Sequence, residues 1–318
     1  MKKITVALLF LMFCSVSEVT LAQLPVSLSL PQASPKETRS ITIGYTNIAF
    51  EYNSVGIKGR DIWGSLVPYD KVWRTGANEN TLVTISDDVL INGKELKAGT
   101  YGLHTIPGKD EWVIIFSNFS EAWGSFFYDE SEDALRVTVT PEEMDSKYEW
   151  MKFSFSDYTA TSVEISLKWA HLKIPFKVEI PMETTFAHIE NQFRTLPAFS
   201  WQGWLQGANY TLNNEYKMDK GLEWAKQALS RERNLQTIGL LGKLQIINGE
   251  EEEGLKNAVA LTKEFGDTWR GYYSAAEIYE AAKDLKKAEK AYKKAKDLAT
   301  DDRTKQVLQS RIDGLNKK

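Results

Sequence analysis

At Pro181 the period of the hydrophobic pattern changes, and that switch constrains the fold more than any other feature of the chain. Upstream, apolar residues alternate with polar ones or gather in short runs. Ile41, Ile43 and Tyr45, then Ile48, Phe50 and Tyr52, show the two-residue period of half-buried strands. Further runs follow at 82–85, 89–91, 101–106, 112–116, 135–139, 150–155, 163–169 and 174–180, with Asn92-Gly93, Pro107-Gly108, Pro141 and Asp157 between some of them. Asn-Gly is the strongest of these turn signals, because both residues tolerate the positive φ that a tight hairpin needs. Many short strands at this spacing predict an all-β sandwich or barrel.

Downstream, Ala and Leu recur every three or four residues with Lys and Glu between them, as on amphipathic helices. A repeat is visible. Gly221-Leu222, Ala225 and Ala228 align with Gly254-Leu255, Ala258 and Leu261, and then with Ala288, Tyr292 and Ala295, at offsets of 33 and 34 residues. That is the tetratricopeptide period, and small residues fall where paired helices must approach closely. The third unit adds Tyr272, Ala275, Ala276 and Tyr279, while the first is degenerate. The fold class expected is therefore α+β in separate domains: a β-sandwich-like domain over 23–183 and a tetratricopeptide-like helical domain over 184–318.

Residues 1–22 read as an export signal. Lys2 and Lys3 precede an apolar run at 4–13, and Thr20-Leu21-Ala22 offers a small residue for cleavage. The run is short for a bilayer span. The single cysteine, Cys14, lies within this segment behind the bulky Phe13, which argues against lipidation. Cleavage near Ala22 leaves no cysteine, so disulfides and thiolate chemistry drop out. The expected location is the periplasm or the exterior. Charge divides unevenly: 23–183 carries a net −8 and 184–318 a net +3, neither basic enough to indicate nucleic acid.

The segment 56–79, GIKGRDIWGSLVPYDKVWRTGANE, is dense in glycine, aromatics and directional polar groups, the composition of a loop with a specified shape. Together with AGTYGLHTIPGKDEWVIIF at 98–116 it resembles the secreted bacterial family known as domain of unknown function 2911. The resemblance covers about residues 30–180 and implies a fold unit but no activity. Within it, Arg60, Trp73, Arg74, Asn78, Glu79 and His104 are the candidate ligand-binding residues, an apolar platform with donors and a carboxylate around it. The same residues suit a structural role, Arg satisfying loop carbonyls and Trp63 and Trp73 plugging the end of the sandwich.

Catalytic constellations are sparse. His104, His171 and His188 lack metal-site spacing, and no calcium loop, phosphate loop or nucleophile elbow occurs. No cofactor or metal is expected. Gly64-Ser65 and Gly124-Ser125 are serines in turns, with no base implied by the sequence. The stretch 112–127 adds Phe119, Trp123, Phe126 and Phe127 to Trp112; such rings pack cores or, when exposed, lie against sugar faces. The expected function is a non-enzymatic binding protein. Its partners would be a protein or peptide on the helical domain and a small polar ligand or glycan on the β domain. The alternative is a glycan hydrolase using Glu79 and a second carboxylate.

Overall fold

A computed structural model describes residues 30–315 and 317, so the expected export segment lies outside the described residues. Among the described residues, ten strands are followed by eight α-helices. The first strands, β1 (Lys36–Ile43) and β2 (Thr46–Asn53), form a hairpin around Gly44 at φ 58°. A long loop then leads to β3 (Thr81–Ile85), β4 (Val89–Ile91) and β5 (Lys94–Leu96), with the β4–β5 turn at Asn92-Gly93, φ 47° and 78°. The remaining strands are β6 (Gly99–Ile106), β7 (Trp112–Ser117), β8 (Asp133–Val139), β9 (Glu142–Ser156) and β10 (Ser162–Glu179).

They make a six-stranded sheet in the order β1-β2-β3-β6-β7-β8 and a four-stranded sheet in the order β5-β4-β10-β9. Every pairing between these strands is antiparallel. The alternation seen in the sequence delivers Ile48, Phe50 and Tyr52 from one sheet and Phe153, Ile165 and Trp169 from the other to a common core. Phe50 stacks on Phe153 across it at 4.4 Å. The sandwich expectation holds. One element differs from the sequence reading: runs 163–169 and 174–180 are a single strand, β10. Its register against β9 shifts on either side of Ala170, which sits at φ 51°. The shift interrupts the alternation locally and makes one strand look like two.

Two residues, Ile180 and Pro181, separate β10 from the first helix. The helices are α1 (Met182–Gln192), α2 (Trp201–Asn213), α3 (Met218–Arg231), α4 (Leu235–Ile247), α5 (Glu251–Glu264), α6 (Trp269–Ala281), α7 (Leu285–Leu298) and α8 (Asp302–Leu315). Side-chain caps set several starts: Ser200 for α2, Asn234 with Thr237 for α4, and Asp284 for α7. Glu251, Glu252 and Glu253 place negative charge in the first turn of α5, where the helix dipole favours it. The helices pair as hairpins α2–α3, α4–α5 and α6–α7, and α2, α4 and α6 open 34 residues apart. These are the tetratricopeptide-like hairpins that the period implied. The small residues have the expected cause. A Cβ on Gly221 would lie 1.9 Å from Thr211 Oγ1, and one on Gly254 2.8 Å from the Gly242 carbonyl.

The two regions meet at α1. His188 Nε2 lies 2.6 Å from Asp87 Oδ1, its ring stacks on Tyr45 at 5.1 Å, and Thr184 donates to the Asp88 carbonyl. No helix among the described residues is long and apolar enough to cross a membrane.

Candidate functional site

The loop between β2 and β3 carries most of the candidate residues, and its side chains divide into two groups. The first closes the sandwich. Trp73 exchanges backbone hydrogen bonds with Thr105 at 2.7 and 2.9 Å, which locks the loop against β6. Its ring stacks on Trp169 at 5.8 Å, while Trp63 stands edge-on to Trp73, Trp112 and Trp169. Four indoles thus plug one part of the core, and Trp73 belongs to that plug rather than to an open platform. Arg60 serves the loop's own backbone. Its guanidinium donates to the Ile57 carbonyl at 3.0 Å and the Gly56 carbonyl at 2.6 Å.

The second group faces outward. Arg74 is half-buried and donates to the Asn78 carbonyl at 2.6 Å. Its guanidinium also sits 5.5 Å from the Trp123 ring and 5.6 Å from that of Phe126, within cation–π range. Burial holds its pKa below the usual arginine value. Asn78, in the left-handed region at φ 59°, donates its amide to Gln32. Glu79 accepts from the Asn53 amide at 3.0 Å, and among the described residues it pairs with neither Arg60 nor Arg74. Glu79, Asn53, Asn80, Ser120 and Glu121 line a cleft of about 230 Å³.

His104 is not in that cleft. It lies on β6, 1% exposed, with Nδ1 3.0 Å from Ser125 Oγ and its ring 5.3 Å from Tyr128. Burial above all, opposed by the negative charge of Asp133 and helped by the positive charge of Arg74, lowers its pKa to about 4. Asp133 accepts hydrogen bonds from Tyr128 and Arg136. The sequence left Ser125 without a base, and the fold brings His104 to it. A serine nucleophile also needs an opening to substrate, and a histidine buried this completely gives none. The pair anchors the loop between β7 and β8.

Gly124 is fixed by the same packing. Its φ is 74°, and a Cβ there would fall 2.8 Å from Arg74 Cζ. Gly124→Ala should therefore lower stability by about 1–2 kcal/mol through the left-handed backbone alone, and should displace Arg74 from Trp123. A urea melt read alongside the Trp123 emission checks both effects.

The hydrolase chemistry finds little here. Glu79 shares its cleft with Glu121 and Glu51, so the second carboxylate exists. Glu79, however, is exposed, and its carboxylate is engaged by the Asn53 amide. No group of three His, Cys, Asp or Glu side chains among the described residues is placed to hold a metal.

The helical region holds a cleft that the sequence reading did not single out. The start of α4, the first turns of α6 and the start of α8 enclose about 420 Å³. Leu235, Trp269, Tyr273 and Val307 give it apolar walls, Arg270 and Arg303 add positive charge, and no acidic side chain lines it. Val307 is 51% exposed, an apolar residue kept in water. The repeat pattern located α6, but α8 falls outside the repeat, so half of the cleft left no periodic trace.

No curated protein matches the chain. Among solved structures it is similar to the tetratricopeptide domain of Sgt2 from Aspergillus fumigatus, at 17% identity and a TM-score of 0.28, over 37% of this chain and 82% of that one. Residues 34–178, which take in both sheets, match the family described as Protein of unknown function (DUF2911), the family that the two loop segments resemble.

Proposed function

We propose that this is an exported, non-enzymatic binding protein whose helical hairpins dock a segment of a partner protein. The cleft between α4, α6 and α8 carries the reading. It joins apolar walls to two arginines with no acid among its lining residues, which suits a peptide presenting an apolar side chain beside a carboxylate. Stacked helical hairpins build extended binding surfaces from the faces of successive helices, and α4 packs directly on α6 here. Export rests on Lys2, Lys3 and the apolar run that follows them.

The test is an array of acidic, apolar-tipped peptides probed with the full mature chain, beside Arg303→Glu and Val307→Asp. Both positions are exposed on the first turns of α8, so these variants should fold normally. Each should weaken peptide capture by about tenfold or more. Binding that is indifferent to both changes, or no binding by any peptide, would sink the proposal. Export is checked separately: protein recovered from the periplasm or medium should begin near Gln23.

A further inference from the structure

Four large rings on the loop between β7 and β8 stand in solvent: Phe119 at 38%, Trp123 at 58%, Phe126 at 72% and Phe127 at 75% exposure. Large apolar side chains gathered in water on one loop mark a surface that something covers. The loop that bears them is held firmly from beneath. Asn80 N–H donates to the Ala122 carbonyl at 3.2 Å and Asn118 N–H to the Glu132 carbonyl at 2.8 Å. His104 grips Ser125, and the Arg74 guanidinium sits against both Trp123 and Phe126. Those two rings are parallel to within 11°, with centroids 5.9 Å apart. Such rings are preorganised, and little ordering remains to be done when a ligand arrives.

The neighbouring surface is polar. Ser120, Glu121 and Ala122 of this same loop form one wall of the cleft of about 230 Å³ that also holds Asn53, Glu79 and Asn80. Trp123 follows Ala122 directly. Carboxylates accept from hydroxyl groups, and amides both donate and accept. Glu51 in the cleft is matched by Lys36 at 2.5 Å, which leaves Glu79 and Glu121 to set a negative sign. An anionic ligand is therefore disfavoured.

We infer that this loop and cleft form a binding site for a neutral pyranose saccharide. The C–H face of a sugar ring rests on Trp123 or Phe126, and its hydroxyls donate hydrogen bonds to Glu79 and Glu121. An aromatic face for the apolar side of the sugar and a polar cleft for its hydroxyls are the two elements such a ligand requires. An apolar protein surface would suit the rings, but it would desolvate the carboxylates beside them without a matching donor. The site is independent of the helical cleft, so each proposal stands or falls alone.

The experiment titrates the full mature chain with neutral oligosaccharides built from glucose and from N-acetylglucosamine, followed by calorimetry and tryptophan emission. Trp123→Ala and Glu79→Gln are run beside the wild type, with thermal melts to establish that both fold. At least one oligosaccharide should bind, and Trp123→Ala should weaken it about tenfold or more. Glu79→Gln should weaken it as well. The inference is overturned if neither series binds, or if binding survives both substitutions undiminished. It is equally overturned if sedimentation shows a self-associated form that Trp123→Ala converts to monomer while no saccharide binds, since the rings would then be an interface between copies.

Discussion

Lowering the pH from 6.5 to 4 will destabilise the β region by about 3 kcal/mol through His104 alone. The imidazole is 1% exposed, and its pKa falls to about 4 in the fold, against 6.5 when unfolded. Between those values the unfolded chain binds a proton that the folded chain refuses, so stability rises with pH across this window. The contribution is complete above 6.5, shrinks as the pH falls, and is gone below about 4, where both states are protonated. The groups around the ring fix the sign. Arg74 adds to the effect of burial, and Asp133 reduces it without reversing it. Denaturant midpoints of wild type and His104→Phe, measured at several pH values, isolate the effect from the carboxylates that titrate nearby. The variant loses the bond to Ser125 at every pH and should be weaker near neutrality, but its slope between 6.5 and 4 should be flatter than that of the wild type. Parallel slopes would mean that the imidazole takes up its proton freely in the fold.

His104 also shows where the sequence stops being informative. In the sequence it stands as a candidate ligand contact because it lies in a segment that resembles the family. Its partner Ser125 stands 21 residues away in the sequence, with no base implied beside it. Nothing in the spacing joins them, because the pairing of β6 with β7 and the return of the β7–β8 loop decide it. The same holds for Arg74, whose aromatic partners come from that loop. Arg60 is the contrasting case. It bonds carbonyls three and four residues away, and that short-range role could be anticipated from a loop rich in orphan carbonyls. The helical repeat was legible for a related reason. Each hairpin meets its neighbour through one recurring face, so Gly221, Gly254 and Ala288 keep their spacing in the sequence as they do in space. Helices α1 and α8 lie outside that repetition, and α8, which completes the helical cleft, was invisible to it.

Trp169→Ala should cost about 3–5 kcal/mol, whereas Trp123→Ala should change stability by no more than about 0.5 kcal/mol. Both are tryptophans of the family-like region, and the sequence alone does not rank them. Trp169 is fully buried: its ring meets Trp63 at 5.5 Å and Trp73 at 5.8 Å, and its indole N–H donates to the Glu149 carbonyl at 3.3 Å. Truncation opens a cavity that the rigid strands cannot collapse and removes one of the two hydrogen bonds that the Glu149 carbonyl accepts, the other coming from Ile57 N–H at 2.9 Å. Against the roughly 5–15 kcal/mol that holds a domain together, such a loss is a large share. Trp169 also supports the loop through Trp73, so the damage should extend to the backbone bonds between Trp73 and Thr105. The helices contact this cluster nowhere among the described core residues. The near-ultraviolet signal of the packed indoles should therefore melt early in Trp169→Ala, while the far-ultraviolet helical signal persists to higher temperature. Trp123 is 58% exposed, so removing its ring takes away contact with Arg74 and little burial. If Trp169→Ala melts like the wild type, the indole plug is not what closes the sandwich. If Trp123→Ala melts as early as Trp169→Ala, its ring is part of the architecture and is not free to meet a ligand.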